Sequence, residues 1–271
     1  MGDTRRLFFK YAACSHTFFH ILNREFGCIQ ECAERASDLL AGGLVRKGHQ
    51  CGMLWGSALA VGAESFRRYG NSPCATSVAI TATQRLMESF SKRAGSVDCF
   101  DITGCDFSNR FDMIKELAKA LLSGIVFSRC MNLAAKWAPE AIEAAKVGLS
   151  GKHTDLCAVS CASELAKRMG ASDEQTLAVA GFAGGMGLSG NACGALAAAI
   201  WLNTVRWCRT HPESTRHYFP SAENTLTAFY NASGSEILCS KICGRSFKTI
   251  ADHTAFIKNG GCDKLISALA G

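Results

Sequence analysis

One pattern of cysteines and glycines occurs twice along this chain, and a repeat of that length constrains the fold more than any other feature. In the first occurrence Gly42-Gly43 precedes His49-Gln50-Cys51-Gly52-Met53-Leu54. In the second, Gly184-Gly185 precedes Asn191-Ala192-Cys193-Gly194-Ala195-Leu196. Upstream, Cys14 stands before Gly27 at the same spacing at which Cys157 stands before Gly170. Downstream, Cys99 and Cys239 are each followed five residues later by a glycine, Gly104 and Gly244. A last cysteine, Cys130 or Cys262, closes each set. The offset between matched cysteines is nearly constant over the first three pairs and shortens at Cys130 and Cys262, so one loop or helix near the end differs in length. An ordered series of four matches with flanking glycines reads as a tandem duplication over 1–148 and 149–271.

Apolar residues recur at helical spacing in 8–26, 78–90, 111–137, 156–169 and 196–207. Strict alternation with β-branched residues is nearly absent. Ser172-Asp173-Glu174 before Leu177, and Pro220-Ser221 before Leu226, look like helix starts. The expected architecture is therefore all-α: two tandem, pseudo-twofold-related helical-bundle modules. Their Cys-Gly helices, at 52–69 and 194–210, each bury the same small-residue face. A hydrophobic fraction of 48% against 19% charged excludes a disordered chain. The net charge of +6 is spread over both halves with no basic stripe, which gives no reason to expect nucleic acid or an anionic membrane as partner.

The chain carries 15 cysteines, and their chemistry depends on the redox compartment. Lys10 interrupts the first apolar stretch after three residues, so no signal-peptide core is expected there. The most apolar long segment, 177–202, is broken by six glycines, which argues against a membrane span. A cytoplasmic protein is expected, and there a cysteine-rich chain is more suited to metal or redox chemistry than to structural disulfides. No CxxC, CxxCH or HExxH occurs, which removes the thioredoxin, haem-attachment and zincin signatures. Gly184-Gly185-Met186-Gly187 lacks the Gly-Lys-Ser/Thr ending of a phosphate loop.

A Gly-rich turn followed by Cys-Gly at a helix start sets the sulfur beside unpaired amides and the positive end of the helix dipole. That environment favours thiolate, so Cys193 and Cys51 are the best candidates for redox thiols, with no catalytic role assigned to any residue. Cys28/Cys32, Cys157/Cys161 and Cys239/Cys243 are i,i+4 pairs that share a helix face. The roles of Cys28, Cys32, Cys161 and Cys243 stay open. Cys74, Cys105 and Cys208 have no partner in the other half and read as small buried hydrophobes.

These residues resemble a family of redox-active proteins named after its own motif, Cys…Gly-Cys-Ala-x-x-Gly…Cys…Cys. Its members typically carry one module with four key cysteines. The second half is similar throughout, with Ala192 in place of the Gly before the signature cysteine and no Gly where the trailing one would stand. The first half loses the Ala of the signature. The resemblance covers nearly the whole chain as two copies, and implies a site more than a reaction.

Three functions fit the pattern. In the first, the quartets Cys14, Cys51, Cys99, Cys130 and Cys157, Cys193, Cys239, Cys262 bind iron–sulfur clusters, or another thiophilic metal, for electron transfer or sensing. In the second they form a thiol–disulfide relay without metal. In the third they store or deliver a metal. The ordered quartets favour the first. The expected partner is a redox protein, with homo-oligomerisation left open.

Overall fold

The structure, a computed structural model, describes residues 2–109, 126–151, 158–212 and 220–271. Cys157 and much of the helical segment expected at 111–137 lie outside the described residues. Fourteen helices and no strand occur among those described. In the first half these are α1 (Gly2–Tyr11), α2 (Cys14–Glu25), α3 (Glu31–Ala36), α4 (Gly52–Tyr69), α5 (Pro73–Ala94), α6 (Cys99–Thr103) and α7 (Val126–Ser150). In the second they are α8 (Cys161–Arg168), α9 (Asp173–Ala178), α10 (Gly194–Thr210), α11 (Pro220–Ser233), α12 (Cys239–Ile242), α13 (Ile250–Lys258) and α14 (Asp263–Ala270). Helices α2 to α6 recur in order as α8 to α12, which is the repeat read from the cysteines.

The expected helix starts come from local chemistry. Ser172 forms a capping box with Gln175 at α9, and Ser72 caps α5 ahead of Pro73 in the first turn. The Cys-Gly helices α4 and α10 begin where the sequence places them, with Cys51 and Cys193 as extended N-cap residues at φ −55° and −59°.

Before each Cys-Gly helix the backbone takes an unusual course. Five consecutive residues have positive φ: Gly42 to Arg46 in one module and Gly184 to Leu188 in the other. L-residues avoid that region at about 1–2 kcal/mol each, so only a fold that closes bonds around the turn sustains it. The closing bonds are alike in the two copies. Leu44 N donates to Leu40 O and Val45 N to Leu39 O; Met186 N donates to Phe182 O and Gly187 N to Gly181 O. Gly43 and Gly185 cannot carry a side chain, because a Cβ would fall 2.4 Å from His49 N and 2.6 Å from Asn191 O.

The modules interlock reciprocally, as a pseudo-twofold arrangement requires. Helix α4 packs on α2 and α5 of its own half and on α9 and the 180–182 turn of the other. Helix α10 packs on α8, α11 and α14 and reaches back to α3 and the 37–40 turn. Small residues make these approaches close: a Cβ on Gly62 would lie 2.3 Å from Ala178 O, and one on Gly56 would lie 2.0 Å from Ser15 O. Trp55 meets Phe182 edge-on at 4.8 Å, and Trp201 Nε1 donates to Ala33 O at 3.1 Å. One hydrophobic core runs through both halves.

Candidate functional site

Each left-handed turn delivers its signature cysteine to a short antiparallel bridge. In the first module Cys51 N donates to Val97 O at 2.8 Å and Cys99 N to His49 O at 2.7 Å. In the second, Cys193 N donates to Ile237 O at 2.9 Å and Cys239 N to Asn191 O at 2.7 Å. The bridges pair Gln50 with Asp98 and Ala192 with Leu238, so each carries cysteines 51 and 99, or 193 and 239, at its next positions. Two cysteines far apart in sequence are thus fixed as neighbours by main-chain bonds.

The thiol at the start of the first helix joins them. Cys14 opens α2, and its sulfur lies against the Gly52 backbone, where a Cβ would be only 2.5 Å away. The amide of Gly42 also bonds this sulfur. In the second module the thiol held by the matching amide, Gly184, is that of Cys161, the first residue of α8. Helix α8 has 8 residues where α2 has 12, so the Cys14-to-Gly27 spacing counted back from Gly170 falls one turn upstream of this position. Cys157 itself is outside the described residues.

In the first module Cys14, Cys51, Cys99 and Cys130 interact electrostatically, and Cys105 stands with them beside Cys99 and Cys130. Cys105 is buried as expected, but it is not isolated. In the second module Cys161, Cys193, Cys239, Cys243 and Cys262 form the corresponding group. Cys243 is at its centre, with Sγ 3.9 Å from Cys239 Sγ and 3.6 Å from Cys262 Sγ. Cys239 and Cys243 reach the group together because their i,i+4 spacing spans the single turn of α12. The sequence contained that pair, but their membership of one centre depends on α14 bringing Cys262 alongside. Cys28, Cys32, Cys74 and Cys208 stand apart from both groups; Cys28 accepts a long bond from Gln30 Nε2 at 3.8 Å, and Cys208 interacts with Arg35.

Protonation is set by burial and by bonds between thiols. A hydrogen bond from Cys51 brings Cys14 down to about 7, helped by the amides of Gly42, Ser15 and Cys14 and opposed by burial. Cys51, which gives that bond and is itself buried, is pushed well up. Burial raises Cys130 to about 12, Cys161 to about 11 and Cys193 to about 12. The first-turn amides of Ala195 and Leu196 do bond Cys193, but they do not outweigh its desolvation. At Cys51 and Cys193 burial thus works against the acidifying amides of the helix start. Cys243 is held down by bonds from Cys239 and Cys262, with His253 and Arg245 nearby, while those two donors are pushed up. A central sulfur between two S–H donors is where a shared negative charge is best placed.

Each module thus has a set of converging thiols, one of which is favoured as the anion. Among the described residues no group of three or more His, Cys, Asp or Glu side chains is arranged to hold a metal ion. No described helix is long and apolar enough to cross a membrane.

The fold thus pairs two helical modules, each gathering cysteines at a Gly-rich turn. The chain belongs to the family described as "Putative redox-active protein (C_GCAxxG_C_C)", whose model matches residues 12–143 and again 156–271. No curated protein and no solved structure matches it.

Proposed function

We propose that the chain is a thiol–disulfide redox protein with one cysteine centre in each module. The observation that carries this reading is the contact of three thiols, Cys239, Cys243 and Cys262, with the charge favoured on the middle one. Cys243 is then the attacking thiolate, and Cys262 or Cys239 the resolving thiol. Cys243 S⁻ attacks a partner disulfide R–S–S–R, forming a Cys243–S–S–R bond and releasing RS⁻. Cys262, losing its proton, attacks the Cys243 sulfur and releases the second RS⁻. The two thiolates take up two protons, so the protein gains a disulfide and the partner becomes two thiols. In the first module Cys14 and Cys51 take the corresponding roles, because the Cys51 thiol bonds Cys14 and favours the anion there.

One spacing also suits a metal. Two thiolates on one tetrahedral ion, at about 2.3 Å from it, lie roughly 3.8 Å apart, and the Cys243 contacts are 3.9 and 3.6 Å. Among the described residues, however, no group of three or more such side chains is arranged to hold an ion.

Protein purified without oxygen distinguishes the two readings. The expected sample is colourless and metal-free, and a small-molecule disulfide introduces one disulfide per module that dithiothreitol removes. Stoichiometric iron and sulfide, with thiols that do not oxidise to disulfides, would overturn the proposal.

A further inference from the structure

The two centres are joined by one side chain. Gln50 precedes Cys51 and is fully buried. Its Nε2 donates to Gly185 O at 3.1 Å, and its Oε1 accepts from Ala192 N at 3.2 Å, both in the other module. Those two backbone groups belong to the ring that positions the second centre. Ala192 precedes Cys193, Asn191 O accepts from Cys239 N, and a Cβ on Gly185 would lie 3.0 Å from Cys239 Cβ.

The bond is one-sided. In the first module Gly43 O is taken by His49 N at 3.0 Å. In the second, Asn191 N bonds Ser189 Oγ instead, at 3.4 Å, and Gly185 O receives Gln50 together with the Ser189 hydroxyl. The residue at the position matching Gln50 is Ala192, which has no amide to return.

The geometry points to Gln50 as a positioning residue that couples the two thiol centres, so that the redox state of one biases the other. The inference rests on the thiol–disulfide reading. Closing a disulfide between Cys14 and Cys51 requires the sulfurs to approach to about 2.05 Å. Cys14 Sγ packs directly against the Gly52 backbone, so movement of that sulfur bears on the 50–52 segment. Gln50 moves with that backbone. With both amide ends held, it passes the shift to Gly185 and Ala192, on either side of the turn that sets Cys193 and Cys239. By linkage the effect is reciprocal.

The test is a double-mutant cycle on the full chain. Disulfide in the second module is quantified by differential alkylation and peptide mass spectrometry across glutathione buffers of defined poise. Disabling the first centre with Cys14→Ala is expected to shift the second centre's equilibrium by about fivefold or more. In a Gln50→Ala background the same change is expected to shift it by less than about twofold. Adding Ala192→Gln to Gln50→Ala returns an amide to the interface from the other side, and is expected to restore the shift. A residue that only supports the fold would lower stability without changing this dependence. The inference is overturned if Cys14→Ala shifts nothing in the wild-type background, or shifts the Gln50→Ala protein equally. If neither module forms a disulfide, the relay reading fails. The iodoacetamide alkylation rate of Cys243 in the same proteins then still decides the coupling. If Gln50→Ala does not fold, the Gln50→Ala/Ala192→Gln protein and Gln50→Glu, which keeps the acceptor but loses the donor, carry the comparison.

Discussion

Cys14 and Cys51 each stand at a helix start, and the bond from the Cys51 thiol to Cys14 bears on when the first centre becomes nucleophilic. The largest influence lowering Cys14 is the bond from Cys51, while burial opposes it. Alkylation of Cys14 is therefore expected to rise with pH through a midpoint near 7. Cys51→Ala removes the donor but not the burial, so the midpoint should move upward; an unchanged pH–rate profile would refute the assignment. In the second module Cys243 should dominate. Cys243→Ser is expected to abolish rapid disulfide formation there, and Cys193→Ser to slow it less, since the Cys193 thiol is pushed up to about 12. Cys208→Ser should leave the rate unchanged, because that thiol interacts with Arg35 and Cys32 rather than with the second-module cysteines. Quenched-flow alkylation of the three variants checks the order.

The element that makes these thiols meet is the left-handed turn. Gly43 and Gly104 share positive φ, +77° and +67°, but a Cβ on Gly43 would collide with backbone while one on Gly104 meets nothing within 4 Å. Gly104→Ala should cost about 1 kcal/mol from backbone conformation alone. Gly43→Ala should cost at least about 2 kcal/mol, because the ring of bonds around it must open as well. Chemical denaturation of both variants measures the difference, and equal costs would show that the turn tolerates a side chain. The Gly-Gly pairs and the Cys-Gly helix starts were legible as a repeat, since each is a local rule of backbone and capping. What was not legible was the reach of the neighbours. Cys161, whose role the sequence leaves open, opens α8 one turn later than the Cys14-to-Gly27 spacing gives, while Cys157 lies outside the described residues. Cys105 was hidden because it has no counterpart in the second half, yet packing sets it beside Cys99 and Cys130. At Cys193 the helix-start amides are legible in the sequence, whereas the burial that opposes them is visible only in the fold.

At the scale of the molecule, the Cys-Gly helices cross from one half to the other, so neither half covers its own core. Unfolding followed by far-ultraviolet circular dichroism and by tryptophan fluorescence should give one coincident transition. Two separated transitions would show that the modules fold independently. The interface around Gln50 is also tightly filled, with both Gln50 and Ala192 fully buried. Ala192→Gln in the presence of Gln50 should overpack it and cost about 1–3 kcal/mol, read as a shift in the denaturation midpoint.

That last expectation bears on why two modules share a chain. In a dimer of identical modules every residue near the axis appears twice, and two glutamines would contend for the space that one fills here. Covalent fusion lifts this constraint: a side chain can be kept on one side and trimmed on the other. It also holds the partners at the high effective concentration of a tether. Gln50 opposite Ala192 is such a departure from symmetry. One amide thus stands between the two centres where a symmetric dimer would have to place two.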